Sequence, residues 1–307
     1  YSQAASILKY TRCGLDKRPE KDKPLSYLKK KVGYYYSEQQ DITKMCEHLA
    51  IEPGHRFPLA YLMEAADDIS YCLADIEDGV EKGLLDCDKL AHELKTQFAK
   101  LADDEAETSF LRNKSFAQAV DYALTRCHNE PINKSHEFFV WLRVQLIHPL
   151  VEHAAGSFID NLEAVYTGEL NRALLEDGSL YHHMIETFKR VAIRHIFATN
   201  EVETKELQGY RIISGLLEGF EPLLMCSTEE FQDMARGRAR GGLITARLFK
   251  RLANKHLKAY LQVLEPMEQD GDFALFEFYY RCRLIQDHIS GMTDQYALEE
   301  YRNLYPN

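Results

Sequence analysis

The sequence predicts an all-α fold, a multi-helix bundle, and three stretches carry that prediction. Ala65, Ile69, Leu73, Ile76 and Val80 recur at three- and four-residue steps, the period of a helix with one buried face. Leu90, Leu94, Phe98 and Leu101 repeat the pattern within 88–127, and a long apolar run begins at Glu137. With 307 residues, 45% of them apolar, the chain can bury one large core or two ordinary ones. No disorder-like tract interrupts it.

Taken in order, Ala4-Ala5-Ser6-Ile7-Leu8 reads as the middle of a helix and the first residue is Tyr1, not Met, so a piece of a longer protein is expected. Leu8-Lys9-Tyr10 leads into a polar segment from Gly14 to Pro24 that reads as a loop. Lys29-Lys30-Lys31 then precedes Gly33 and Tyr34-Tyr35-Tyr36; three loop lysines are either solvated or bound to an anion. Arg56-Phe57-Pro58 marks a turn into the helix of 64–80, and Gly79 to Gly83 is expected to loosen its far end. The helix has a second face made of Asp67, Tyr71, Asp75 and Asp78. Like charges at helical steps cost roughly 0.2–0.5 kcal/mol per pair, so this face is either an ordinary solvated surface or a site that meets something positive.

Residues 88–127 read as peripheral helices, and Asn129 to Asn133, with Pro131, as a break. In the helix that follows, Arg143 stands alone among apolar residues. A guanidinium there needs an anion, either a carboxylate of the 64–78 face or a ligand. A kink is expected between Pro149 and Gly156. Further helices are expected over 158–198, including Met184 to Phe197, then an acidic turn from Glu201 to Glu206, then a helical stripe through Ile212, Leu216 and Leu217.

From Met234 to Leu264 there is no acid, while Arg236, Arg238, Arg240, Arg247, Lys250, Arg251, Lys255 and Lys258 supply eight positive charges. This segment is a lid over a nucleotide, a nucleic-acid contact or a plain solvated helix. Gly237, Gly241 and Gly242 would let a lid move, and the shortage of aromatics makes a weak stacking platform for single strands. The aromatics of Phe276 to Arg283 read as core, with Asp294 capping the helix that carries Tyr296 and Leu298.

A net charge of −11 disfavours indiscriminate binding to polyanions, so any phosphate site must be locally basic. Seven scattered cysteines without a CxxC spacing argue against a disulfide framework or a thiolate zinc site and suit a reducing, cytoplasmic setting. No apolar run approaches the length of a membrane span.

Glu64-Ala-Ala-Asp-Asp-Ile-Ser-Tyr71 with Asp75 and Glu77-Asp78, Leu8-Lys9-Tyr10, and Ile289 to Asp294 with Tyr296-Ala297 together resemble the HD-domain deoxynucleoside triphosphate triphosphohydrolases, the dGTPase family, in the long enterobacterial type. The resemblance covers essentially the whole chain. It implies an HD-like bundle, with HD-core helices and a phosphate loop over 1–157 and family-specific helices with a base-side pocket over 158–307. It also implies water attack at the α-phosphorus of a deoxynucleoside triphosphate, preferentially dGTP, giving deoxynucleoside and inorganic triphosphate.

By the same resemblance the histidine and His-Asp ligands of a divalent metal, Mn2+ or Mg2+, and the catalytic histidine precede Tyr1; none of the twelve histidines here is followed by Asp. Asp67 would be the remaining metal ligand. A metal held by one carboxylate is weak, so this chain alone is expected to be inactive without its N-terminal segment.

Lys9, Tyr10 and Lys31 would hold the triphosphate, although Val32 stands where relatives can have proline, and Arg143 would lie near the phosphates. Tyr71 and Asp75, one and two helical steps from Asp67 and about 6 and 12 Å along the axis, would meet the sugar. Phe197 and Glu206 would read guanine, with Arg238 and Arg247 closing over the nucleotide. The expected partners are the substrate, a second copy in a homo-oligomer and possible single-stranded nucleic acid. Another nucleotide as HD substrate, or a non-enzymatic binding module, is the alternative.

Overall fold

The computed structural model describes residues 1–238, 242–267 and 271–305. It divides into two compact units, Tyr1–Thr199 and Asn200–Asn307. The expected division at 157 falls inside a helix of the first unit. Among the described residues no helix is long and apolar enough to cross a membrane.

The first unit contains α1 (Ser2–Ile7), α2 (Gln39–Leu49), α3 (Pro58–Glu81), α4 (Cys87–Ala102), α5 (Phe116–Asn129), α6 (Lys134–Asp160), α7 (Leu162–Tyr166) and α8 (Leu180–Ala192), with a π-turn over Ile193–Phe197. Two short parallel strands, β1 (Arg12–Cys13) and β2 (Val32–Tyr34), close the loop that holds the lysines. The long helix α3 starts where Phe57 is extended and Pro58 occupies the first turn, a position at which the missing N–H of proline costs nothing. Ala65, Ile69, Leu73, Ile76 and Val80 are all buried, as their spacing predicts.

Several expectations change. Helices α4 and α5 are not peripheral: Leu90, Leu94, Phe98 and Phe116 sit in the main core, because α4 turns its apolar stripe toward α8 and α5 toward α6 while the charges occupy the outer faces. Gly79 does not loosen α3. A Cβ there would lie 2.5 Å from Ile196 Cδ1, so the glycine lets the π-turn seat directly on the helix.

The second unit contains α9 (Asn200–Leu224), α10 (Thr228–Ala235), α11 (Leu243–Phe249), α12 (Asn254–Leu264), α13 (Phe273–Ser290) and α14 (Asp294–Leu304). The acidic stretch 201–206 is helical and forms the start of α9, with Glu201 and Glu203 in the first turn, where the helix dipole favours carboxylates. Leu216, Phe220, Leu223, Phe231, Leu284 and Ile285 form its core. Within the aromatic run of α13 the buried side chains are Glu277 and Arg281, while Phe278 is exposed and Tyr280 packs half-buried against the core, so only part of the run is the core that its composition suggests. Thr293, not Asp294, caps α14 by accepting from the Tyr296 N–H. Of the basic segment, Ala239, Arg240 and Gly241 lie outside the described residues.

Candidate functional site

Helix α3 organises the candidate site of the first unit. At its N-terminal half Glu64 is 1% exposed and gathers three donors. Its Oε2 accepts from Arg56 Nη1 at 2.5 Å, its Oε1 accepts from the Tyr27 hydroxyl at 2.9 Å, and Lys9 Nζ lies 3.5 Å from the same Oε1. Arg56 is fully buried and lies over the rings of Tyr61 at 4.8 Å and Tyr27 at 5.7 Å. Among the described residues its Nε and Nη2 have no hydrogen-bond acceptor; the aromatic faces supply part of what a carboxylate would.

Lys9 bridges toward the next turn of α3, with Asp67 Oδ2 at 3.7 Å. Partial burial pulls its pKa down, but the Glu64, Asp68 and Asp67 carboxylates and Tyr10 outweigh it, and the net shift is upward. The lysine loop folds over this point. At Gly33 any Cβ would overlap the Tyr10 carbonyl, so only glycine lets β2 cross there. Lys30 and Lys31 then bring their ammonium groups to 5.8 Å from the Tyr10 ring, and Lys30 also sits 3.7 Å over Tyr27. Burial pushes the Lys30 pKa down, with Glu176 and Glu64 opposing it. Lys9, Tyr10 and Lys31, singled out in the sequence, therefore meet in one basic cluster.

One turn further, Asp68, Tyr71, Cys72 and Asp75 of α3 face Phe188, Lys189 and Ala192 of α8 and Ile193 and Phe197 of the π-turn, across a cleft of about 200 Å³. Three residues expected at sugar and base, Tyr71, Asp75 and Phe197, line this one cleft. The π-turn is the reason Phe197 does so: Ala198 N–H reaches the Ile193 carbonyl, five residues back, at 3.1 Å, and the wider turn re-aims the last side chains relative to an α-helix. Tyr71 is 60% exposed and free to cover a ligand.

Burial raises the Asp68 pKa, with Lys189 and Lys9 pulling against it. Asp75 is raised by burial and then by Asp78. Cys72 is pushed up to about 12 by burial, so it is a neutral thiol near pH 7 and no nucleophile.

Asp67 is a half-exposed carboxylate beside Lys9. Among the described residues no group of three or more His, Cys, Asp or Glu converges to hold a metal ion. Asp67 is thus suited to be one ligand, and these residues alone do not make a metal centre. Arg143 pairs with Glu77 on α3, the carboxylate alternative, and does not line the cleft. Glu206, Arg238 and Arg247 are exposed residues of the second unit.

The sequence assigns no site role to Glu64, Arg56, Tyr27 or Lys189, reads Lys30 only as one of three loop lysines, and ranks Asp68 well below Asp67. Glu64 had a signal, since it precedes Asp67 and Asp68 by three and four residues. Arg56, read as part of a turn, had none.

The Phosphohydrolase-associated domain family matches residues 231–303. A protein of Pseudomonas aeruginosa named probable deoxyguanosinetriphosphate triphosphohydrolase is 50% identical over 305 residues, 99% of this chain and 61% of its own length. Proteins named deoxyguanosinetriphosphate triphosphohydrolase from Klebsiella pneumoniae and Salmonella typhimurium are 43% and 42% identical over 308 residues, 99% of this chain and 59% of theirs. The chain therefore spans about three fifths of the length of the curated relatives it matches.

Proposed function

Related over 99% of its residues to those proteins, the chain belongs to the deoxyguanosinetriphosphate triphosphohydrolase family, and we propose from this premise that the intact protein hydrolyses dGTP to deoxyguanosine and inorganic triphosphate. The observation that carries the reading is the cleft beside the lysine cluster. A basic group of Lys9, Tyr10 and Lys31 adjoins Asp67, and Tyr71, Asp75 and Phe197 line a cleft farther along the same helix. A triphosphate, a sugar and a base need those three environments in that order.

In this reading Lys9 and Lys31 neutralise the triphosphate, whose α-phosphorus takes the water oxygen as its bond to the deoxynucleoside 5′-oxygen breaks, without demanding one planar geometry. Asp75 accepts a hydrogen bond from the 3′-hydroxyl, Tyr71 closes the space where a 2′-hydroxyl would sit, and Phe197 stacks on the base. A divalent cation, Mn2+ or Mg2+, belongs to the proposal, with Asp67 the ligand this chain supplies and the remaining ligands and the catalytic histidine elsewhere in the protein.

Arg143, held by Glu77, would act on the phosphates only by exchanging that partner, and Glu206 would read guanine. In the second unit Arg236, Arg238, Arg247, Lys250, Lys255 and Lys258 are exposed, while Arg251 is taken by Glu300. These cations support a further role in binding an anion, the nucleotide itself or single-stranded nucleic acid.

Product analysis with dGTP tests the reaction. Intact triphosphate supports it, monophosphate or diphosphate indicates another HD phosphohydrolase, and no turnover by the intact protein overturns it. Tyr71→Ala should narrow the kcat/KM gap between dGTP and GTP by about tenfold; an unchanged ratio removes Tyr71 from sugar selection.

A further inference from the structure

We propose that Glu64 is the positioning residue of the phosphate cluster: from its buried place on α3 it holds the Lys9 ammonium toward Asp67 and, through Tyr27, supports Lys30. The proposal rests on the reading of this cluster as the triphosphate site and adds the residue that orients it.

The argument is one of unequal satisfaction. Glu64 receives Arg56 at 2.5 Å and Tyr27 at 2.9 Å, with Lys9 at 3.5 Å, while Arg56 has a single acceptor and two orphaned donors. Arg56 alone already neutralises Glu64, so a purely structural ion pair needs no third cation. Lys9 nevertheless sits between Glu64 and Asp67, one helical turn apart, and is drawn by both. Its ammonium keeps hydrogens free to donate elsewhere.

The surrounding chain fixes the anion in place. Arg56 N–H donates to the Gly168 carbonyl at 3.2 Å, Tyr61 OH to the Leu170 carbonyl at 2.9 Å, and Tyr27 N–H to Asn171 Oδ1 at 2.8 Å. Gly168 has φ +75, and a Cβ there would lie 2.5 Å from the Arg56 carbonyl oxygen. A lysine in a loop is a mobile charge. One clamped by a buried carboxylate on a rigid helix is preorganised, which is what phosphate recognition gains from.

Neutralising Glu64 would leave Arg56 and Lys9 as two unshielded cations, and Lys9, the partly exposed one, would swing away. The effect falls on phosphate binding and not on the sugar and base cleft. The test uses the intact protein and inorganic triphosphate as the probe. Glu64→Gln should weaken triphosphate binding by calorimetry and raise KM for dGTP, each about tenfold, with kcat changed less than threefold. Added to Lys9→Ala, the same change should cost nothing more.

Should Glu64→Gln fail to fold, Arg56→Gln/Glu64→Gln removes the buried pair together, a change that buried ion pairs tolerate better than loss of one partner, and it should show the same loss. Parental triphosphate affinity in either folded variant, or fully additive losses with Lys9→Ala, overturns the proposal. If the parent binds triphosphate but does not turn over dGTP, the proposed reaction fails and the positioning role is still decided by the binding data.

Discussion

Among the described residues each unit fully buries one arginine–glutamate pair, and the two pairs are finished differently. In the second unit Glu277 accepts from Tyr260 at 2.5 Å, from Thr228 at 3.0 Å and from Arg281 through both Nε and Nη2. Arg281 spends its remaining nitrogen on the carbonyls of Leu223, Leu224 and Cys226. That network is closed: α13 is stapled to the end of α9 and every charge is used. In the first unit Arg56 has two donors without a partner among the described residues, and Glu64 reaches out to a partly exposed lysine. A closed network gives rigidity, because nothing in it can be exchanged. An open one at the edge of a cleft leaves charge available to a ligand.

The largest expected effect breaks or confirms that contrast. Glu277→Ala leaves Arg281 buried without a counter-charge and should destabilise the second unit by about 3–5 kcal/mol. Arg56→Ala should cost clearly less, since Lys9 and Tyr27 remain on Glu64 and two unsatisfied donors disappear with the guanidinium. Urea midpoints of both variants, followed by circular dichroism, decide it. Equal losses would mean that the open network is as structural as the closed one.

The same contrast explains what the sequence reveals. Helix α3 was legible because its core stripe and its acidic face follow one period, and the buried set Ala65 to Val80 is as expected. The resemblance to the family is what singled out Lys9, Tyr10, Lys31, Tyr71, Asp75 and Phe197 as candidates. Their meeting was not legible, since it depends on a π-turn and on Gly33 and Gly79, which act by what a Cβ would hit.

Arg281 was hidden for a related reason. It stands in an aromatic run, and helical phase, not composition, decides that Glu277 and Arg281 point inward while Phe278 points out. Arg143 shows the converse: an isolated arginine flags a need for an anion, but only the packing of α3 against α6 identifies Glu77 as the partner.

A smaller effect is expected from pH. His288 is buried with its Nε2 unpartnered among the described residues, its Nδ1 3.4 Å from the Ala253 N–H and the ring edge-on to Phe220 at 5.2 Å. Burial pushes its pKa down; Glu300 opposes this while His256 and Arg251 add to it. The unfolded chain takes up this proton near pH 6.5, whereas the folded unit resists it to lower pH. Stability contributed by neutral His288 is therefore present above 6.5 and lost as the pH falls below it, by at most about 1.4 kcal/mol per pH unit. His288→Gln should flatten the dependence of the urea midpoint between pH 7 and 5 relative to the parent. An identical slope would show that folding leaves the proton affinity of His288 unchanged.

The smallest effect concerns the acidic face of α3, and it separates a solvated surface from a site. Asp75 and the exposed Asp78 are three residues apart, and after burial it is Asp78 that raises the Asp75 pKa. A like-charge pair at this spacing costs roughly 0.2–0.5 kcal/mol, so Asp78→Asn should stabilise the first unit by that amount at pH 7. Because the folded pKa of Asp75 is raised, this carboxyl takes its proton earlier in the folded state as the pH falls. The repulsion then disappears, and the gain from Asp78→Asn should vanish by about pH 3, where the Asp75 carboxyl is neutral. Melting temperatures of parent and variant at pH 7 and pH 3 measure the difference directly. A gain at pH 7 that vanishes on acidification means the fold tolerates an electrostatic cost on this face to keep Asp75 available to a ligand. No gain at pH 7 means solvent already screens the pair and the face carries no such cost.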